Sequence, residues 1–258
     1  MVKRDTLIRT VEEIIGRELI DRATAEDDML NGVQFLGNPD VSGLAVGTSL
    51  NAEFLEKAVG RGANFCIFHH GLDTRTWKSR YPAYAQERLR LITASRMTIM
   101  GFHYALDVHP KIGNNAVIVR KLGAVLGEPL FKGWGYTGVF PKPKPVKKLL
   151  TDCSRLFRHP VYAVLAGPEM IRTIGVVSGG AKPQAEHLAE MESKGVELFI
   201  TGESTESVPH KMKESGINYF VCGHYATEVF GVRELGEKLA EKFGRKLNVD
   251  FIDVPNPI

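Results

Sequence analysis

Residues 223–228 read Gly-His-Tyr-Ala-Thr-Glu, and this stretch decides how the rest of the chain is interpreted. It follows an apolar run, Tyr-Phe-Val-Cys at residues 219–222, which predicts a buried strand. Residues 101–107, Gly-Phe-His-Tyr-Ala-Leu-Asp, repeat the pattern after a second apolar run. In both copies a histidine and a carboxylate lie four residues apart, which on a helix places both side chains on one face. The chain therefore contains two copies of a His-Tyr-Ala-x-acid motif, each following a predicted strand.

Two interpretations of this motif are open. An acidic residue in the first turn of a helix is favoured by the helix dipole alone, without any ligand. A carboxylate and an imidazole that converge at the end of a buried strand are also typical of a metal site or an acid–base pair. The second interpretation is favoured because the motif occurs twice and because His69 and His70 follow a further predicted strand.

Composition and charge narrow the class of protein. Of the 258 residues, 43% are hydrophobic and 24% are charged, which is typical of a soluble globular protein. The near balance of 33 basic and 30 acidic residues argues against a nucleic-acid partner. Three cysteines without regular spacing argue against a disulfide framework. Because no apolar run approaches membrane-spanning length and the first residues predict an amphipathic helix, we expect a cytoplasmic protein without a membrane partner.

Strands and helices alternate along the predicted chain, which indicates an α/β fold. Each half follows the order strand, helix, strand, helix, strand, motif. Residues 127–167 contain glycines and prolines that predict an edge strand and a connection between the halves. The chain begins with a predicted helix at residues 5–20 and closes with a predicted helix at 232–243 and a predicted strand at 247–252. Further strands are predicted at residues 43–46, 64–68, 97–100, 171–177, 197–200 and 218–222.

We therefore assign residues 1–126 to a first α/β lobe, and residues 127–258 to the connection and a second, similar lobe. We expect largely parallel sheets in two lobes that face each other across a metal-binding cleft. Both motifs would then lie at the carboxyl ends of strands, which is the edge where ligands bind in such sheets.

The candidate ligands number five, and all offer nitrogen or oxygen: His69, His70, Asp107, His224 and Glu228. A single ion with room for water would not need all five, whereas two ions that share a bridging carboxylate would. The sequence thus predicts two divalent metal ions per subunit. Ligands of this kind, without thiolate, suit Fe, Mn, Zn, Ni or Co. In the alternative interpretation only one histidine of the adjacent pair is a ligand and the other packs, because neighbouring strand residues point to opposite faces.

Several short motifs together resemble those of one protein family. They are Asn-Gly-Val-Gln at 31–34, Phe-His-His-Gly at 68–71, Leu-Asp-Val-His-Pro at 106–110, Gly-Asn-Asn at 113–115, Gly-Glu-Ser at 202–204 and the motif at 223–228. The chain resembles the Nif-three-like family, whose members are also called GTP cyclohydrolase I type 2 homologues, over nearly its whole length. The resemblance implies two similar α/β lobes around a dinuclear metal centre, and assembly as a toroidal homo-hexamer.

The resemblance also implies a distribution of the ligands between the ions. His69 and Asp107 would hold one ion, and His70 and His224 would hold the second. Glu228 would bridge the two.

Four further positions matter to the implied site. His103, the histidine of the first motif copy, would support a ligand, act as an alternative ligand or take part in catalysis. Glu203 and His210 would flank the cleft, where either would act as a general base or orient water. Ser49 is a departure, since many family members have an aspartate in this strand-to-helix turn, and it puts the substrate contacts in doubt.

The predicted function is that of a dinuclear metal-dependent hydrolase. Water activated between the ions would attack a nucleotide-like small molecule, in a GTP cyclohydrolase-type ring opening or a phosphoester hydrolysis. The alternative is a metal-binding scaffold or regulatory protein without turnover. An enzyme should keep open coordination positions, whereas a structural metal site is closed by protein ligands.

Two loop regions have alternative interpretations as anion sites. Residues 178–182, Ser-Gly-Gly-Ala-Lys, join a strand to a helix and form either an anion-binding turn or a simple tight turn. Arg75, Arg80 and Lys111 lie in loops close in sequence to the metal motifs. They would contact a phosphate or, as the simpler interpretation, remain solvated.

Overall fold

A computed structural model describes residues 1–72 and 80–258, so Arg75 lies outside the described residues. The strands are β1 Val2–Lys3, β2 Gly32–Phe35, β3 Asp40–Val41, β4 Gly43–Ser49, β5 Phe65–His70, β6 Thr98–Gly101, β7 Val125–Leu130, β8 Gly135–Pro145, β9 Tyr162–Val164, β10 Met170–Val177, β11 Leu198–Thr201, β12 Asn218–Val221 and β13 Asn248–Phe251. The helices are α1 Arg4–Ile15, α2 Arg17–Glu26, α3 Ala52–Gly60, α4 Ala83–Ala94, α5 Tyr104–Val108, α6 Asn114–Lys121, α7 Val146–Phe157, α8 Ala185–Ser193, α9 Val208–Glu214 and α10 His224–Phe243. Among helices in the described ranges, none is long and apolar enough to cross a membrane.

The chain forms two compact units. The first unit contains Met1–His109 and Gly231–Val254, and the second contains Pro110–Phe230 and Pro255–Ile258. This division differs from the predicted boundary between residues 126 and 127, for two reasons. Helix α6 packs on β7, β8 and β10 of the second unit. The terminal strand β13 pairs in parallel with β4 of the first unit.

The first unit is built on a five-stranded sheet with the order β13-β4-β5-β6-β2. The four strands from β13 to β6 are parallel, and β2 is antiparallel to β6. Strands β4 and β5 are almost wholly buried, as expected for continuous apolar runs in a sheet covered on both faces. Their core includes Phe54, Cys66, Phe68 and Ile99. The prediction of a largely parallel sheet is confirmed for this unit.

The second unit contains a six-stranded mixed sheet with the order β7-β8-β10-β11-β12-β9. The central strands β10, β11 and β12 are parallel, whereas β7, β8 and β9 run antiparallel to their neighbours. The prediction of a largely parallel sheet is therefore wrong for the outer strands. A short turn at residues 131–134 joins β7 to β8, and a connection this short can only join antiparallel strands.

The predicted single helix at residues 5–20 is also wrong. Gly16 has a φ of 94° and separates α1 from α2. A φ in this range suits glycine, because a side chain would be strained there. Helix α2 then continues to Glu26, and the loop that leads to β2 begins at Asp27.

We expect Asn51→Ala to lower the free energy of unfolding by about 1 kcal/mol, as typical for the loss of an N-cap. Asn51 Oδ1 accepts a hydrogen bond of 2.8 Å from Phe54 N and so caps α3. Urea denaturation measures the change, and Asn51→Asp is the matched control because its carboxylate can still cap. Equal losses in both variants would contradict the role of this hydrogen bond.

Candidate metal centre

Two histidines lie at the end of β5 in the first unit, and the Nδ1 atom of each imidazole ring contacts a polar oxygen of a neighbouring strand or loop. His69 is buried, and its Nδ1 lies 3.1 Å from the carbonyl oxygen of Phe102. His70 is partly exposed, and its Nδ1 lies 3.0 Å from Ser49 Oγ. The ring centroids are only 4.6 Å apart although the residues are adjacent. Ser49 therefore contacts a candidate ligand, whereas the sequence led us to expect an effect on substrate contacts.

His103 joins this pair as a third imidazole. It stands between β6 and α5, with its ring centroid 5.0 Å from that of His69 and 5.3 Å from that of His70. Its Nδ1 lies 2.9 Å from Oδ2 of Asp27, whose side chain is only 2% exposed. One ligand atom from each of the three histidines lies within 4.8 Å of the others. The first unit thus gathers three imidazoles in one cluster.

Asp27 organises the start of α5. Its carboxylate accepts hydrogen bonds from Met29 N, Asn31 Nδ2 and Tyr104 N, and Asn31 Oδ1 accepts one from His103 N. Burial alone would raise the pKa of Asp27. The hydrogen bond and electrostatic interaction with His103, and the donors of Met29 and Asn31, lower that pKa to about 2 instead. Asp27 is therefore ionised beside His103 across the ordinary pH range.

Gln34 holds the turn that follows the histidine pair. Its Oε1 accepts a hydrogen bond of 2.7 Å from Leu72 N. A Cβ atom at Gly101 would lie 2.9 Å from Gln34 Nε2, and one at Gly71 would overlap the same side chain. The motif at residues 31–34 therefore serves to position the histidines, a role that was not apparent from the sequence.

Asp107 lies on α5 and is buried. Its Oδ1 is 3.6 Å from His69 Nε2. Nδ1 of His69 already faces a carbonyl, so Nε2 is the nitrogen that would bind a metal. Among the predicted ligands of the first unit, His69 therefore lies beside both His70 and Asp107.

In the second unit, the ends of two strands meet around one carbonyl group. The carbonyl oxygen of Gly179 accepts hydrogen bonds from Gly202 N at 2.9 Å, Glu203 N at 3.0 Å and Thr201 Oγ1 at 3.1 Å. Gly179 N donates in turn to Oγ1 of Thr227, at 3.0 Å. These bonds connect the ends of β10 and β11 to the first turn of α10.

These hydrogen bonds help to decide between the two interpretations of residues 178–182, and the exposure of Arg80 and Lys111 does the same for the loop cations. Ser178 N donates to Asn115 Oδ1 at 2.7 Å, and the N–H of Gly179 is used within the protein as described above. Residues 178–182 thus fit the tight-turn interpretation better than an anion-binding one. Arg80 and Lys111 are exposed, which agrees with solvated loop charges.

His224 lies between two carboxylates of the second unit. Its Nδ1 is 2.6 Å from Glu203 Oε1, and its Nε2 is 3.2 Å from Glu228 Oε2. Burial would lower the pKa of His224, but the hydrogen bonds and charges of Glu228 and Glu203 raise it from 6.5 to about 9. The ring is therefore protonated at neutral pH, and binding of a metal ion at Nε2 would release that proton.

Glu228 is 2% exposed and is confined by the turn at Gly179. Gly179 has a φ of 65°, and a Cβ atom there would overlap Glu228 Oε1, so conformation and space both require glycine. Glu228 follows His224 by one helical turn, as the motif predicts. His210, by contrast, lies exposed on α9.

Within the first unit, the described residues contain three histidines, His69, His70 and His103, that could hold a metal ion. Glu228 of the second unit is a further candidate ligand. The sequence left His103 open between a ligand, a supporting residue and a catalytic residue. Its carboxylate partner at Nδ1 repeats the pairing of Glu203 with His224, and metal-binding histidines commonly have such a partner. The geometry therefore favours His103 as a ligand through Nε2.

Comparison with known proteins identifies the family. The family described as Duf34/NIF3 (NGG1p interacting factor 3) matches residues 4–257, and the chain belongs to it. A relative from Escherichia coli K12, called GTP cyclohydrolase 1 type 2 homolog, is 35% identical over 254 residues, covering 96% of this chain and 98% of the relative. A relative of the same name from Haemophilus influenzae is 31% identical over 257 residues, with the same coverage. The family predicted from the motifs is confirmed.

Solved structures share the fold. A structure described as protein ybgI of unknown function aligns with a TM-score of 0.88 and 29% identity, covering 100% of both chains. The crystal structure of TTHA1606 from Thermus thermophilus aligns with a TM-score of 0.84 and 27% identity, again over 100% of both. The predicted α/β class is therefore confirmed, with one sheet largely parallel and the other mixed.

We expect the acid sensitivity of the metal-depleted protein to depend on Asp27. A pKa lowered from 3.8 to about 2 stabilises the fold above pH 4, and this stabilisation is lost as the pH falls through 2. Between pH 6 and pH 3, the free energy of unfolding of the wild type should therefore fall by about 1 kcal/mol more than that of Asp27→Asn.

Urea denaturation of both proteins at the two pH values measures this difference. Asp21→Asn is a suitable control, because Asp21 is an exposed aspartate on the neighbouring α2. The same pH dependence in wild type and Asp27→Asn would show that the Asp27–His103 pair does not have this effect.

Proposed function

We propose that this protein is a dinuclear metal-dependent hydrolase acting on a nucleotide-like small molecule. In this proposal, the two units face each other and their donor groups share one centre. The cytoplasmic location expected from the sequence and the homo-hexameric assembly implied by the family resemblance belong to the same proposal.

The chemistry of the donor groups fits divalent metal ions. Imidazole nitrogens and carboxylate oxygens without thiolate suit Fe, Mn, Zn, Ni or Co. The pairs Asp27–His103 and Glu203–His224 fix the rings through Nδ1 and increase the basicity of Nε2. The buried carboxylate of Glu228 lies 3.2 Å from the His224 ring, and a bound cation would offset the cost of its burial in the same way as that ring does when protonated.

Each candidate ligand has a role in the proposal. His69 and Asp107 would hold one ion, His70 and His224 the second, and Glu228 would bridge them. His103 adds a histidine to the set available in the first unit. Ions held in this way polarise a substrate oxygen and lower the pKa of bound water.

Glu203 has a more definite role than the sequence suggested. Its Oε1 lies 2.6 Å from Nδ1 of His224, so it can hold the proton on that nitrogen and keep Nε2 available as a ligand. We therefore propose that Glu203 orients His224 and does not act as the general base. Glu203→Gln should consequently weaken metal binding by roughly 10- to 100-fold, as for other partners of ligating histidines.

The observation that carries the enzymatic proposal is the accessibility of the ligand rings. The side chains of His103 and His224 are 18% and 29% exposed. A structural metal site is closed, whereas a catalytic one keeps a position for water or substrate. The nucleotide-like substrate is supported by the name of the relatives, GTP cyclohydrolase 1 type 2 homolog.

We expect close to two metal ions per chain in protein purified without chelator, as argued for a bridged pair. His224→Ala should lose one ion or more, because it removes a ligand of the second ion. Plasma mass spectrometry measures the content, and His187→Ala is the control because it removes a histidine elsewhere in the second unit. A wild type that takes up no metal even after reconstitution would overturn the site assignment.

We expect turnover of a purine nucleotide or a phosphoester by the metal-loaded protein, and its loss in Glu228→Gln. The substitution removes the bridging charge but keeps the shape of the side chain. Substrates are screened with Fe, Mn, Zn, Ni and Co, products are identified by mass spectrometry, and light scattering checks that the oligomer persists. If no substrate is turned over and removal of metal dissociates the oligomer, the ions are structural and the scaffold alternative is favoured.

A further inference from the structure

Residues 255–258 belong to the second unit, although the residues that precede them belong to the first. The main-chain oxygen of Ile258 accepts a hydrogen bond of 3.0 Å from Tyr225 N. Tyr225 is in the first turn of α10, where N–H groups have no partner within the helix. Ile258 therefore supplies an acceptor for one of these groups, directly beside His224.

His159 connects the same segment to the residue before His224. Its Nε2 lies 3.0 Å from the carbonyl oxygen of Pro257, and its Nδ1 lies 2.6 Å from that of Pro160. The ring also lies against Gly223, where a Cβ atom would be 3.0 Å from Cγ and Cδ2 of the imidazole. Gly223 has a φ of 94°, so it cannot readily be replaced by a residue with a capping side chain.

The segment has an internal hydrogen bond that shapes it. Asn256 Oδ1 accepts a bond of 3.0 Å from Ile258 N. This turn directs the oxygen of Ile258 toward Tyr225 while the carbonyl of Pro257 meets His159. The segment is exposed, so these few polar contacts rather than burial hold it in place.

We propose that His159 and residues 255–258 form a clasp that positions His224 and Glu228 for metal binding. His224 is in the first turn of α10 and Glu228 follows one turn later, so fraying of the first turn would separate His224 Nε2 from Glu228 Oε2, which are 3.2 Å apart. The clasp replaces the N-cap side chain that Gly223 lacks. His159 is thus a positioning residue that acts through Gly223 and Pro257. The inference rests on the proposed metal-dependent function.

The first test asks whether the clasp exists in solution. Hydrogen exchange of the Tyr225 amide is measured in the metal-depleted protein for wild type, His159→Ala and Asn256→Ala. Exchange should be faster in both variants, because each loosens the acceptor of that amide. Unchanged exchange in both would overturn the clasp, whatever metal the protein binds.

The second test asks whether the clasp affects the metal. The Zn²⁺ dissociation constant is measured by competition with a chromophoric chelator. It should rise about 10-fold in His159→Ala, as for partners of metal ligands. It should largely recover in His159→Gln, whose amide nitrogen can still donate to Pro257. His187→Ala, which removes another partly buried histidine of the second unit, should bind as the wild type does.

The outcomes separate the two proposals. If His159→Ala lowers the free energy of unfolding but leaves the Zn²⁺ dissociation constant unchanged, the clasp is only structural and the inference is wrong. If the wild type itself binds no Zn²⁺, the proposed function fails, and the metal-positioning role fails with it. Hydrogen exchange of the Tyr225 amide would then still show whether the contact between residues 255–258 and α10 exists.

Discussion

The parallel pairing of strands, four in the first unit and three in the second, is the constraint on which both sets of donors depend. In the first unit, Ser49 on β4 pairs in register with His70 on β5, which brings the serine hydroxyl within hydrogen-bond distance of the imidazole. In the second unit, Val177, Thr201 and Val221 stand at one level across β10, β11 and β12. The loops that follow therefore start side by side. Polar residues that are distant in the sequence are therefore brought together at the carboxyl ends of these strands by strand pairing alone.

Hydrogen bonding then decides which nitrogen of each ring is available. His69, His70, His103 and His224 all have Nδ1 beside a polar oxygen, so Nε2 is the ring nitrogen that would act as a metal ligand. The oxygens are a carbonyl, a hydroxyl and two carboxylates. Fixing a ring in this way lowers the conformational entropy that metal binding would otherwise cost.

The parts of the fold predicted from the sequence are those set by local pattern. Apolar runs such as residues 64–68 predicted buried strands, and the spacing within residues 223–228 predicted the contact of His224 with Glu228. The placement of β13 beside β4 was not predicted, because nothing in a short terminal strand indicates its partner. Asp27 was missed for a similar reason. It is 76 residues from His103 in the sequence, in a polar stretch outside the motifs quoted above.

Ser49 shows how one substitution can distinguish otherwise similar ligands. His103 and His224 each have a carboxylate at Nδ1, whereas His70 has the neutral hydroxyl of Ser49. A carboxylate partner increases the basicity of the opposite nitrogen and stabilises a protonated ring, whereas a hydroxyl does so far less. The hydroxyl at Nδ1 of His70 therefore supports that ring less strongly than a carboxylate in the same place would. Because Ser49 pairs in register with His70, the residue at position 49 influences the donor strength of His70.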